Sequence, residues 1–192
     1  DQPAGYMLIG VTIGTAPALT GATLQVLAHV LMKGGAFLVV AGVAGLGVGP
    51  LISDWKGLGV RRPLLGAAFA LMLLSLAGVP LTIGFVSKFV LFSSAVQAQG
   101  WFIWLAVAGL LNSALSVFYY ARVLRVMYFD RTDEIAAIES TPVAGLGAGG
   151  LGYGRAVAIG LVAVLIVGIG LYPQPILGAI QSAAQHFLLT GV

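Results

Sequence analysis

Apolar residues fill most of the chain in long runs, and short polar intervals separate one run from the next. The first run covers about residues 4–15 and is followed by Pro17, and the second covers about 20–48. A helix needs roughly 20 apolar residues to cross a bilayer. The second run is therefore long enough to cross with its ends projecting. The first run is shorter than one crossing, so we expect the chain to be the C-terminal piece of a longer protein.

The third apolar run, residues 63–98, is too long for one straight crossing. A glycine and a proline interrupt it at 78–81, which predicts two crossings joined by a tight turn, with the chain reversing there. Pro80 fits the first position of the second helix, where its missing N–H group costs nothing.

Two further runs follow, about 101–129 and 155–172, and the latter is ended by Pro173 and Pro175. The tail 176–189 could continue the membrane helix past a kink or lie along the interface. Aromatic and basic residues at the ends of a run are typical of anchoring at lipid headgroups. The run 101–129 is the fifth predicted crossing and is called the fifth run below. It has such residues at both ends: Trp101, Trp104, Tyr119, Tyr120, Arg122, Arg125 and Tyr128.

Together the runs predict an all-α, polytopic transmembrane helix bundle of about six membrane segments. We divide the chain into a membrane repeat (1–129), a flexible loop (130–154) and a C-terminal transmembrane helix with its tail (155–192). The loop contains glycines in the pattern G-x-G-x-x-G. No strand precedes them, so we interpret the stretch as a linker and not as a dinucleotide-binding turn.

Composition supports this class and excludes others. Hydrophobic residues make up 59% of the chain and charged residues 8%, with a mean hydropathy of +1.05. The formal charge of +3 comes mainly from span ends and inter-span segments, so we expect no nucleic-acid partner. Without cysteine the chain holds neither a disulfide nor a cysteine-ligated iron–sulfur cluster. The predicted crossings place three basic residues (within 56–62) on one face of the membrane and four (within 122–155) on the other. This difference is too small to predict the orientation of the bundle.

Lys88 is the only formally charged side chain in residues 64–98. An ammonium group near the centre of a bilayer costs roughly 2.5 to 3.5 kcal/mol, so it is seldom there without a function or a partner. We predict that Lys88 exchanges a proton. The alternative is a structural lysine bonded to carbonyls that a helix break leaves free. Ser87 beside it could line a water path or simply pack closely.

Two other polar groups are candidates for the same path. His29 and Lys33 are spaced i, i+4 and so share one helical face, where they could pass protons along water or complete a helix contact. Three side chains of the fifth run repeat at the same spacing and could line the path or bond across helices: Asn112, Ser116 and Tyr120. No Asp or Glu falls inside a predicted span, which favours protons over metal cations.

Three segments resemble the antiporter-like membrane subunits of respiratory complex I, most closely subunit N. They are residues 29–37 (HVLMKGGAF), residues 74–89 (LSLAGVPLTIGFVSKF) and residues 112–122 (NSALSVFYYAR). The resemblance implies the second of two inverted repeats plus a final helix, with a broken helix at Gly78, Pro80 and Gly84. It implies that Lys88 is the lysine of that broken helix, near the proton exit. It also implies that His29 and Lys33 belong to a central hydrophilic axis.

The function implied by the resemblance is transport. We expect a non-catalytic, proton-translocating subunit of a complex I type NADH (or related donor)–quinone oxidoreductase, with Lys88, Lys33 and His29 as the relay. The alternatives are a subunit of a multisubunit cation/proton antiporter or membrane-bound hydrogenase, and a passive membrane scaffold. We expect no cofactor in this chain, and quinone, flavin and iron–sulfur clusters in partner subunits. The expected partners are other membrane-arm subunits and the lipid bilayer, in a prokaryotic cell membrane or an organellar inner membrane.

Overall fold

The computed structural model describes residues 2–130 and 152–190, and all regular structure in these two ranges is helical. The predicted loop and its glycine pattern fall almost entirely outside the described residues. A short 3-10 helix, Ile52–Trp55, precedes α3. The α-helices are α1 (Gln2–Ile13), α2 (Ala16–Ala44), α3 (Leu58–Arg61), α4 (Pro63–Ala77), α5 (Ile83–Gln97), α6 (Phe102–Tyr128), α7 (Tyr153–Leu171) and α8 (Gln174–Thr190).

Helix α2 is the centre of the bundle, and α1, α4, α5, α7 and α8 all pack against it. Small residues permit this close packing. Gly10 of α1 lies directly on Ala18 and Ala22, so α1 folds back antiparallel to the first half of α2. Three helices, α2, α6 and α7, are by themselves long and apolar enough to cross a membrane. The predicted all-α transmembrane bundle is confirmed.

Helices α4 and α5 follow one another along α2 instead of forming a hairpin. In α4, Met72 lies against Gly35, and in α5 the backbone of Leu91 lies against Gly21. As the chain advances from Met72 to Leu91, its contacts on α2 therefore move back towards the start of α2. The two helices are one crossing with a break in its middle, as the resemblance implies. The predicted reversal of the chain at this point is wrong.

The break itself spans the residues between α4 and α5. Gly78 ends α4 with φ +91°, a left-handed conformation that glycine adopts without steric cost. The Thr82 hydroxyl donates a 2.7 Å hydrogen bond to the Val79 carbonyl, and Thr82 then serves as the N-cap of α5. Pro80 therefore lies inside the connection, and the expectation that it is the first helical residue is wrong. Gly84, placed at the break by the resemblance, is the second residue of α5.

Helices α7 and α8 form a second interrupted rod along α2. Arg155 lies at Gly45, near the end of α2, whereas Gly170 lies against the backbone of Leu81 and Thr82. Beyond the interruption at Pro173, α8 packs on the first half of α2, so the tail continues the rod and does not lie along the interface. The interruption after α7 thus lies beside the break between α4 and α5.

Because α4 and α5 together make one crossing, called the in-line break below, the segment between α2 and α4 and the end of α6 lie at the same end of the bundle. The Gly57 N–H donates to the Val126 carbonyl at 3.4 Å, and the Tyr128 ring lies against Gly59 and Gly66. The expected division of basic residues between two faces is wrong, because it assumed one crossing too many. The described basic residues other than Lys33 and Lys88 share this end, called the basic end below: Lys56, Arg61, Arg62, Arg122, Arg125 and Arg155.

Candidate functional site

Lys88 is buried at the break, with 8% of its surface exposed. Its Nζ donates hydrogen bonds to the carbonyls of Leu76 at 2.8 Å and Ala77 at 3.4 Å. These carbonyls belong to the last turn of α4, where a helix leaves its C=O groups without intrahelical partners and carries a partial negative charge. Gly78 leaves room for the lysine stem, because a Cβ there would lie 3.3 Å from the Lys88 Cδ. The break therefore forms a small binding site for a cation.

Tyr6 of α1 also contacts the Lys88 amine. The centre of its ring is 5.7 Å from Nζ, which is within the range of a cation–π contact. The Tyr6 hydroxyl donates to the Gly109 carbonyl at 3.1 Å, lies 3.1 Å from the Ser113 Oγ and accepts from the Asn112 amide at 3.3 Å. Lys88 is thus connected through Tyr6 to the polar groups of α6.

A cavity of about 340 Å³ opens at the seam between α1 and α6. Tyr6 and Asn112 line it, together with Gly109 and several apolar side chains. The cavity brings the outside of the bundle close to the polar groups around the Tyr6 hydroxyl. The cavity has room for water beside the polar groups that contact the lysine through Tyr6.

A second polar group joins α2, α4 and α5 beside the break. Ser87 donates to the Gln25 side-chain oxygen at 2.7 Å, and the Ser75 hydroxyl donates to the Met32 sulfur at 2.9 Å. The Gly84 N–H donates to the Ser75 Oγ at 3.3 Å. Ser87 is therefore part of a helix contact, while its role in lining a water path stays a prediction.

His29 and Lys33 lie one turn apart on the outer face of α2. His29 is half-buried and Lys33 is exposed. Within residues 2–130 and 152–190, no hydrogen bond or ion pair links either side chain to Lys88. The described residues therefore do not bring the two predicted relay groups into contact.

The three polar residues predicted on the fifth run differ in their surroundings. Asn112 reaches the lysine through Tyr6. Ser116 is buried and donates to the Asn112 carbonyl at 2.9 Å, and Tyr120 is half-buried and packs against the main apolar core. Asn112 takes part directly in the network around Lys88, Ser116 is bonded to the Asn112 carbonyl, and Tyr120 is close enough to interact electrostatically with Tyr6.

Sequence reasoning missed Tyr6, Ser113 and Gln25. Tyr6 belongs to the first run, which is shorter than one crossing, and its partners lie about a hundred positions later on α6. Gln25 is an isolated amide in an apolar run, and Ser113 falls one position outside the i, i+4 series. The available signal was a polar side chain inside an apolar run, which demands a partner.

No group of three or more metal-ligating side chains occurs among the residues that the structure describes. In the same ranges, the single ion pair joins the exposed Arg125 to Asp130 at 3.8 Å, close to the basic end. Lys88 therefore has carbonyls and an aromatic ring as its neighbours, with no carboxylate among its described partners.

Comparison with known proteins gives consistent matches. Residues 3–116 match the family described as NADH:quinone oxidoreductase/Mrp antiporter, TM. NADH-quinone oxidoreductase subunit N 2 of Sorangium cellulosum is 42% identical over 175 residues, covering 90% of this chain and 32% of that protein. F(420)H(2) dehydrogenase subunit N of Methanosarcina mazei is 37% identical over 191 residues, covering 95% of this chain and 36% of that protein.

Among solved structures, respiratory complex I from Thermus thermophilus with bound aureothin contains a similar chain. The TM-score is 0.68 with 27% identity, covering 92% of this chain and 37% of that chain. The chain spans about a third of the length of the curated relatives it matches.

Proposed function

Because the chain belongs to the family described as NADH:quinone oxidoreductase/Mrp antiporter transmembrane proteins, we propose that it is part of a proton-translocating subunit. The subunit works in a membrane complex of the complex I type that reduces quinone. The two relatives described above bear the names of an NADH and an F(420)H(2) enzyme. Either donor fits the proposal. Flavin, iron–sulfur clusters and the quinone then belong to partner subunits, and other membrane-arm subunits are the direct partners.

The observation that carries this proposal is the placement of Lys88. Its amine lies in the interior of an apolar bundle, at a helix break whose free carbonyls stabilise the protonated form. Loss of the proton leaves a neutral amine that costs little in this apolar environment. Both states are thus accessible, which is the requirement for a group that takes up and releases a proton in turn.

His29 and Lys33 are proposed as the other carriers. They lie on the outer face of α2, where they can exchange protons with groups on another membrane helix. A proton that crosses 100 mV costs about 2.3 kcal/mol, so a series of protonatable stops divides this work into smaller steps.

Replacing Lys88 by methionine in the full-length protein, assembled in its complex, tests the proposal. We expect Lys88→Met to lower proton pumping in proteoliposomes several-fold, because methionine keeps the apolar packing and removes the protonatable group. Lys56→Met, which removes a lysine at the basic end, is the matched control and should pump normally. Normal pumping by an assembled Lys88→Met complex would refute the proposal and leave the passive scaffold.

A cation/proton antiporter is the second candidate, since the matching family includes the Mrp antiporters. The described helices α2, α4, α5, α6 and α7 contain no Asp or Glu, and oxygen ligands from carboxylates are what a sodium site prefers. This favours protons. Transport in vesicles that depends on sodium and proceeds without quinone reduction would favour the antiporter instead.

A further inference from the structure

We propose that Tyr6 is a positioning residue for Lys88, whose ring holds the amine at the break and whose hydroxyl fastens that ring to α6. The inference rests on the proposed function and goes beyond it. It assigns the proton affinity of Lys88 in part to a side chain on a different helix. The contact between α1 and α6 then controls how readily the lysine keeps its proton.

The ring stabilises the charged form of the lysine and not the neutral form. The face of an aromatic ring carries negative potential, and Nζ lies 5.7 Å from the ring centre. The Leu76 and Ala77 carbonyls hold the amine from the side of α4. The amine therefore contacts both the end of a helix and an aromatic ring.

Within the described residues, few other titratable groups could produce the same effect. Helices α4 and α5 contain none besides Lys88, and α7 has only Tyr153 and Arg155, both in its first turn at the basic end. On α2, His29 and Lys33 lie on the outer face. The titratable residues of α6 lie in its second half, towards the basic end: Tyr119, Tyr120, Arg122, Arg125 and Tyr128. Among them, Tyr120 is close enough to interact electrostatically with Tyr6. Gly109 and Ser113, which contact Tyr6 directly, carry no charge.

The ring is held in place from two helices. Its hydroxyl bonds to Gly109 and lies within hydrogen-bonding distance of Ser113 on α6, and Phe92 of α5 meets it edge-on at 5.7 Å between ring centres. Gly109 provides the space, because a Cβ there would lie 3.2 Å from the Tyr6 ring. Tyr6 itself is 5% exposed. A shift of α6 relative to α1 would therefore displace the ring from the amine.

The test compares Tyr6→Leu, Tyr6→Phe and Tyr119→Leu in the assembled complex, with pumping measured as a function of pH. Leucine removes the ring, so the alkaline limb of the profile should move to lower pH by about half a unit to one unit. Phenylalanine keeps the ring but loses the hydroxyl that fastens it to α6, so its profile should shift in the same direction by less than that of leucine. Tyr119 is exposed on α6, so Tyr119→Leu should leave the profile unchanged.

A graded series covers the case in which Tyr6→Leu fails to assemble. Phenylalanine analogues carrying one, two and three ring fluorines at position 6 keep the shape of the ring and weaken its negative face step by step. The alkaline limb should move further with each fluorine. An unchanged profile across the series, together with loss of pumping in Lys88→Met, overturns the role of Tyr6 and leaves the proposed function intact. Normal pumping in Lys88→Met overturns both.

Discussion

At the scale of single residues, Gly84 shows how little space remains where three helices meet. A Cβ at this position would overlap the Ser75 carbonyl of α4 and would lie 2.9 Å from the Met32 sulfur of α2. The resemblance placed Gly84 at the helix break. In the structure, Gly84 lies next to the break and lets α5 pack closely on α4 and α2. A local sequence pattern could not predict this role, because Met32 is far from Gly84 in the chain.

We therefore expect Gly84→Ala to destabilise the bundle by about 1 to 3 kcal/mol, because the backbone of α4 must move to admit the methyl group. Gly34→Ala on α2 is the matched control, since its Cβ would meet nothing within 4 Å. There the better helix propensity of alanine should leave stability unchanged or slightly higher. Thermal denaturation of the purified complexes measures both. Equal stability of the two variants would contradict this packing of α4 on α5.

At the scale of the elements, hydropathy predicted where the helices are but not how α4 and α5 are connected. A hairpin of two crossings and one crossing broken in the middle both give a long apolar run interrupted by glycine and proline. What separates them is the order of contacts along α2, from Gly35 with Met72 to Gly21 with Leu91, and these pairs are far apart in the chain. The broken helix was predicted only because the motif around Lys88 resembles that of the antiporter-like family.

The neighbouring interruptions suggest that α7 supports the break. Gly170 has no side chain where it meets the backbone of Leu81 and Thr82, so Gly170→Ala should push α7 away from the connection. We expect pumping to fall at least two-fold while quinone reduction continues, because the carbonyls around Lys88 lose their fixed position. Gly168→Ala, where a Cβ meets nothing within 4 Å, should pump normally. Normal pumping in both variants would show that the break does not depend on α7.

At the scale of the whole molecule, the in-line break gives a distribution of charge different from the one that two separate crossings would give. The basic residues expected on two faces gather at the basic end, and the other end, near Gln99, has no Lys or Arg among the described residues. Because positively charged loops stay on the cytoplasmic side, the basic end is expected to face the cytoplasm. Sequence alone could not orient the chain, since one miscounted crossing moves every later residue to the opposite side.

Single cysteines test both the orientation and the break. The chain contains no cysteine of its own. Ser53→Cys at the basic end should react with a membrane-impermeant maleimide only after the cells are opened, whereas Gln99→Cys should react in intact cells. The unmodified full-length protein gives the background. Labelling of both cysteines from the same side of the membrane would show that α4 and α5 are a hairpin of two crossings and would exclude the broken crossing.

The position of the break has an electrical consequence. The Lys88 amine is bonded to the end of the first half of a crossing, so a charge held there senses only a fraction of the voltage between the two aqueous compartments. With the amine near the midpoint of the membrane, moving a proton to it or away from it costs about half of the roughly 2.3 kcal/mol that a full transfer against 100 mV requires. Membrane voltage should therefore alter the occupancy of Lys88 by protons at constant pH, with about half the sensitivity of a complete transfer.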